Sequence, residues 1–390
     1  MDEKTALYEL IDGELAWLAG FQLPDGALPM TPFDQGGPAW GEEDGGERTV
    51  RSKICPYFSE FAALALLLRP AQYGENVRRY LDWHFAHLNT AEEDYNSVDG
   101  TIYDYEAVRL PDGTIEESIL TDPRTGTLSY DSTDSYAGLF LELLWKYAEK
   151  TGDGDYVRRH WTEIERIYGA MLSTLDRDLT WAKPDYRVKY LMDNCEVCRG
   201  LRAMRQLVRR LFLPSAAEEQ ARERMLFLLR DTEEREAALL RRIERCLWKE
   251  EAAHYLVGLM DDDAPLPEHF DWNTFYPDAL AQLFPVLMEV LPADSPRAVA
   301  LYETFSRHFS GGEAAWEELR GERLGEHNIN GLIPYTAARM GDFARLRRYF
   351  SRYRTLYAET GHPSPAYNAD CAQVAMAAAI MAENADRLQA

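Results

Sequence analysis

Apolar residues recur at three- and four-residue intervals along nearly the whole chain, which is the period of helices burying one face. With Gly, Pro and capping residues as stops, the pattern predicts twelve helices. They lie at about 4–20, 56–69, 74–88, 132–151, 155–175, 190–213, 215–247, 274–291, 296–309, 329–340, 342–359 and 366–387. No long run alternates as a strand does; short β pieces are predicted only at His254–Leu259 and Thr101–Tyr105. The even-numbered helices are apolar on most faces, as in PYFSEFAALALLL and SYAGLFLELLWKYA. The odd-numbered ones carry a single apolar stripe, as in ENVRRYLDWHFAHL and FARLRRYFSRYRTLYAE. An all-apolar helix belongs inside and a one-striped helix outside.

The links alternate too. Those after even helices are tight and marked by Gly or Pro: Pro70–Tyr73, Gly152–Gly154, Pro214, Pro292–Ser295 and Gly341. Those after odd helices are mostly long, at 21–55, 89–131, 176–189, 248–273, 310–328 and 360–365. Tight turns at one end and long loops at the other predict six helical hairpins. The expected fold is all-α, an (α/α)6 toroid forming a single domain over residues 1–390, with the even-numbered helices inside. An open solenoid would show a repeated sequence period, and none is present.

Composition narrows the function. The 390 residues are 46% hydrophobic and 28% charged, an ordinary globular mixture. The net charge of −24 argues against a broad nucleic-acid or anionic-lipid surface. No apolar run reaches the length of a membrane span, and MDEKTALYEL lacks the basic-then-apolar order of a signal peptide. Five cysteines, an odd number, read as reduced thiols in a cytoplasmic setting. The 22 tyrosines and 9 tryptophans suit a carbohydrate partner, since each offers a flat apolar face with a polar handle.

In a toroid of this kind the chemistry belongs at the starts of the even helices. Those segments gather acids, amides and aromatics: Cys55–Glu60, Tyr130–Tyr136, Tyr190–Glu196, Asp271–Asp278, His327–Asn330 and Tyr367–Asp370. Asp134 and Glu196 are the leading pair of candidate catalytic carboxyls, with Asp193, Asp131 and Glu60 as competitors. Asp134 and Glu196 each precede a glycine by four residues, Gly138 and Gly200, for which packing and access to the backbone are both readings. Helix capping is the alternative role for Asp131 and Asp193. Glu60 is the only charge between Pro56 and Leu68, and apolar neighbours would raise its pKa as a general acid requires. Tyr103, Asp104, Tyr105, Trp181, Tyr186, Trp272, Asn273, Tyr276, Asn368 and Asp370 are candidate sugar contacts. Cys195 and Cys198 lack further ligands, so no metal is expected there. Asp261–Asp263 reads as a solvated turn. No cofactor motif is present, and no cofactor is expected.

These segments resemble the six-hairpin glycosidase superfamily, most visibly Pro56–Leu64, Asp99–Tyr105, Asp131–Gly138 and Tyr190–Glu196. Ser59-Glu60 and Thr133-Asp134 are similar in type and helix position to the acidic motifs of glycoside hydrolase family 8, with Phe61-Ala62 where that family has Gly-Gln. The resemblance implies an inverting glycoside hydrolase acting on an oligo- or polysaccharide through two carboxyls at the toroid mouth. It implies Asp134 as the base, or as a group gripping a distorted sugar, and leaves the acid open between Glu196 and Glu60. A non-catalytic carbohydrate-binding toroid, a sugar epimerase and a polysaccharide lyase remain as alternatives. Lys183 and Arg187 are the basic residues a lyase would use.

Overall fold

Helix carries most of the chain in the computed structural model, which describes residues 2–33, 50–121, 126–267, 269–309, 315–319 and 329–389. His327 and Asn328 lie outside these residues. In chain order the first elements are α1 (Glu3–Gly20), β1 (Val50–Ile54), α2 (Pro56–Leu66), α3 (Pro70–Ala86), β2 (Tyr105–Arg109) and β3 (Ile115–Ile119). Next come α4 (Asp134–Thr151), α5 (Gly154–Arg159), α6 (Trp161–Ser173), β4 (Leu175–Asp176), β5 (Leu179–Thr180), β6 (Lys189–Tyr190) and α7 (Leu191–Leu207). Then follow α8 (Leu213–Ser215), α9 (Glu219–Arg242), β7 (Trp248–Lys249), β8 (His254–Tyr255), β9 (Gly258–Leu259), α10 (Phe284–Leu287) and α11 (Pro296–His308). The last are α12 (Leu332–Arg339), α13 (Phe343–Leu356) and α14 (Asn368–Gln389).

Two compact units divide the chain. The first comprises Met1–His84, Tyr103–Tyr130 and Tyr302–Ala390; the second comprises Phe85–Ile102 and Asp131–Leu301. In the first, α14 packs on α1, α2 and α12. Its small side chains Ala372, Ala375, Ala377 and Ala378 are fully buried, which lets the neighbouring helices close in. The unit also holds an antiparallel sheet in the order β1-β2-β3, with Ile54 opposite Tyr105 and Tyr105 opposite Ile119. In the second unit α4 and α7 form the core, with α6 packed on α4 and α9 on α7.

Most helices fall where the periodicity places them, and the departures have physical causes. The segment expected as one helix over 155–175 breaks at His160. Its ring Nδ1 sits 3.0 Å from the Tyr156 carbonyl, while its own N–H turns to Val157. The helix expected over 274–291 is only a π turn at Phe275–Ala279 and the short α10. Pro277 and Pro285 cannot donate to a helical ladder, and Tyr276 before Pro277 is extended (φ −119°, ψ 132°). The three-stranded sheet was not expected beyond the piece ending at Tyr105.

A buried charge network ties the loop before α7 together. Lys189 is fully buried, and its Nζ reaches Asp176 and Asp263 at 2.6 Å each. Asp263 also pairs with Arg177 and Arg242. The Asp261–Asp263 run is therefore a partner for the protein's own cations rather than a simple solvated turn.

Candidate active site

The site begins with two glycines. A Cβ on Gly200 would lie 2.6 Å from the Gly138 Cα, and one on Gly138 would lie 3.0 Å from the Glu196 carbonyl oxygen. Only glycine permits this approach, so α4 and α7 cross unusually closely. Gly138 and Gly200 thus serve packing, not access to the backbone. The crossing brings the first turns of both helices together and with them Asp131, Asp134, Asp193 and Glu196. On the same two helices Arg199 forms an ion pair with Glu142, compensating charge deeper in the core.

Asp134 is completely buried and fully engaged. Its Oδ1 accepts from the Ser132 hydroxyl at 2.6 Å and the Ser135 N–H at 2.8 Å. Its Oδ2 accepts from the Thr180 hydroxyl at 2.5 Å. Thr180 is held by Asn194, whose Oδ1 accepts the Thr180 N–H at 2.9 Å. Burial pushes the Asp134 carboxyl up to about 6, against the lowering effect of the Ser132, Thr180 and Ser135 hydrogen bonds. The Ser135 N–H is capped by Ser132, not by Asp131, whose side chain is exposed.

Asp193 differs. It lies in the first turn of α7 and keeps partial exposure. Burial of its carboxyl first, then the charges of Asp134, Glu196 and Asp131, raise its pKa well above the usual carboxylate range. The helix N-terminus pulls the other way, but that effect is worth only about 0.3–1 kcal/mol and loses here. Glu196, three residues on, is buried.

Tyrosines surround the acids. The Tyr186 and Tyr190 hydroxyls lie 2.9 Å apart. Tyr276 is 64% exposed. Its phenol is pushed up to about 12 by burial and by the charges of Asp131, Asp193 and Glu196. Tyr276 is thus exposed and lies within electrostatic reach of the acids. Burial and the Tyr186 contact likewise raise Tyr190. Trp181 lies under the Arg187 guanidinium, 4.6 Å from it, so one indole face is already covered. Trp272 packs edge-on to Phe270 at 5.4 Å, and Asn273 joins Asp271 in a turn.

Other expected contacts belong to packing in the first unit. Tyr103 is buried against Tyr130, and Tyr105 is buried edge-on to Trp83. Asp104 is buried and bound by Lys53 at 2.7 Å. None of the three offers a surface to a sugar. Asn368 is fully buried, donating to the Leu28 and Pro29 carbonyls, and Asp370 accepts the Gly331 N–H at 2.8 Å. Both tie loops to helices. Glu60 is sealed in the core with its Oε1 3.8 Å from Nδ1 of His84, itself buried. Cys195 and Cys198 are buried thiols, and burial pushes Cys198 up to about 12. Tyr190 was missed as a contact, although it stands three residues before Asp193 in the same aromatic and acidic run.

No family model matches the sequence, and no curated protein matches it. Solved structures do. An alpha-amylase from Clostridium perfringens is similar with a TM-score of 0.53 at 12% identity, over 97% of this chain and 98% of that one. A cold-adapted family 8 xylanase is similar at 0.52 and 8% identity, over 97% and 91%. A D-mannose isomerase is similar at 0.53 and 10% identity, over 98% and 99%. With these likenesses spanning nearly the whole chain, the fold is all-α, of the (α/α)6 toroid class.

Proposed function

We propose that this protein is a carbohydrate-active enzyme, a glycoside hydrolase that cleaves an oligo- or polysaccharide at the acid cluster on α4 and α7. The observation that carries the reading is the acid cluster around Asp193: burial and three neighbouring acids push its carboxyl well above the usual range, near the exposed Tyr276. A protonated carboxyl at neutral pH is what a leaving glycosidic oxygen requires. Asp193 is the general acid. Asp131, exposed at the same cluster, is the carboxylate that activates water, giving inversion. Asp134 and Glu196 are positioning residues; their charges keep the proton on Asp193, and Asp134 is itself clamped by Ser132 and Thr180. Tyr186 and Tyr276 stack on sugar rings, as exposed aromatic faces do.

The glycosidase names among the similar folds support this class, and the D-mannose isomerase supports sugar as the substrate. The test is turnover on α-glucan, xylan and mannan panels, with the anomer of the first product followed by NMR. Inverted product, lost in Asp193→Asn, is the expected result. Isomerised free sugar, or activity unaffected in Asp193→Asn, would overturn the reading.

A further inference from the structure

A second cluster of chemically capable side chains lies in the first unit, where the sequence gives no hint of one. Glu14 of α1, His362 of the loop before α14, and Cys371 of α14 offer ligand atoms that all lie within 4.8 Å of one another. All three residues are buried. The His362 Nε2 lies 3.0 and 2.9 Å from the two Glu14 carboxyl oxygens. Tyr353 of α13 places its hydroxyl 2.9 Å from Glu14 Oε2 and 3.3 Å from Cys371 Sγ. The His362 ring is set by Trp17, stacked on it at 4.4 Å.

We propose that Glu14, His362 and Cys371 form a binding site for a divalent transition-metal ion of the zinc type. The donor set is one thiolate, one imidazole and one carboxylate, a mixture that suits a borderline-soft ion rather than magnesium or calcium. Charge supports it. A buried carboxylate and a buried thiolate together carry two negative charges, which a divalent ion cancels. Size supports it as well. Zinc bonds of about 2.0–2.3 Å set neighbouring tetrahedral ligands roughly 3.3–3.7 Å apart. Here the His362 and Glu14 atoms lie 2.9–3.0 Å apart and all three ligand atoms lie within 4.8 Å of one another, a spread that brackets those spacings.

Binding releases the Cys371 proton to solvent, because the thiolate is the ligand. Uptake therefore weakens as the pH falls. Tyr353 donates its hydroxyl to Glu14 Oε2 at 2.9 Å and so orients that ligand. The ion would pin α1 to the α13–α14 hairpin, joining residues nearly 360 positions apart in sequence.

The test uses the full chain, stripped with a chelator and titrated with cobalt(II), then loaded with zinc for X-ray absorption. The expected result is one ion per chain, a thiolate-to-cobalt charge-transfer band, and a zinc shell of one sulfur with nitrogen and oxygen. The band disappears in Cys371→Ser. Should that variant not fold, the wild-type zinc shell decides alone. Uptake far below one ion per chain, a band that survives Cys371→Ser, or a zinc shell of two sulfurs from Cys195 and Cys198 overturns the proposal. The cluster is then a hydrogen-bonded Glu–His pair that needs no ion. Neither result bears on the acid cluster of α4 and α7.

Discussion

Glu60 and Asp193 open apolar helices in much the same way, yet the structure gives them opposite surroundings. Glu60 on α2 meets His84, a base, in a sealed core. Asp193 on α7 meets three other carboxyls, in a residue that is only half-buried. A base that takes up a proton favours the ionised form of an acid beside it. An acid among acids holds a proton it can give away. A lone acid at the start of an apolar helix therefore says little about role until its neighbours from other segments are known.

The largest expected effect tests this contrast directly. Asp193→Asn should lower turnover about 10²–10⁴-fold, the usual contribution of a general acid, without lowering the melting temperature. Glu60→Gln should do the reverse, lowering the melting temperature while costing turnover at least tenfold less. Steady-state rates and thermal melts on the two variants decide it.

A second prediction concerns the pH dependence of stability. Burial raises the Asp134 carboxyl to about 6 in the folded chain, above the ordinary 3.8 of an aspartate, so the folded chain binds the proton more tightly than the unfolded chain. Its contribution to stability is therefore full below about pH 4 and is lost as pH rises to about 6, a change of about 3 kcal/mol. Asp134→Asn should remove that slope. The amide can still accept from Ser132 and Ser135, and the Thr180 hydroxyl can turn to Asn194 Oδ1, 3.3 Å away. Urea midpoints of parent and variant at acid and neutral pH should converge at the acid end and favour the variant at pH 7.

Third, Gly200→Ala should cost about 1–3 kcal/mol by forcing α4 and α7 apart, and should lower turnover with it. Gly13→Ala, where a Cβ meets nothing within 4 Å, is the control and should be neutral or slightly stabilising. The smallest effect is at Tyr276. Tyr276→Ala should raise KM about fivefold, the loss of about 1 kcal/mol of stacking, with no change in melting temperature because the residue is exposed.

Much of the fold was legible in the sequence because long helices announce themselves by period and by their Gly and Pro stops. Pro277 and Pro285 sat inside an apolar run whose period outweighed them, so the helix expected there was too long. Val50–Ile54 is a five-residue strand whose partners lie more than 50 residues away, and so short an alternation carries little signal. At the site, the four carboxyls of α4 and α7 were all named from the sequence. Which of them reaches solvent was not readable, because that depends on Ser132 and Thr180 saturating Asp134. Tyr103 and Tyr105 looked like sugar platforms because composition cannot tell an aromatic facing solvent from one pressed on Tyr130 or Trp83. The Glu14, His362 and Cys371 cluster was invisible for a simpler reason: its members share no local spacing.

Lys189 offers a practical reading of the fold in motion. Its amine is enclosed by Asp176 and Asp263 and has no exposed surface. An acylating reagent would modify the surface lysines at once and reach Lys189 only when the loop around it opens. The rate at which that one amine becomes labelled, read by mass spectrometry with and without a candidate sugar, would time the opening of the segment that leads into Asp193. A sugar that slows labelling would identify itself as a ligand before any turnover is detected.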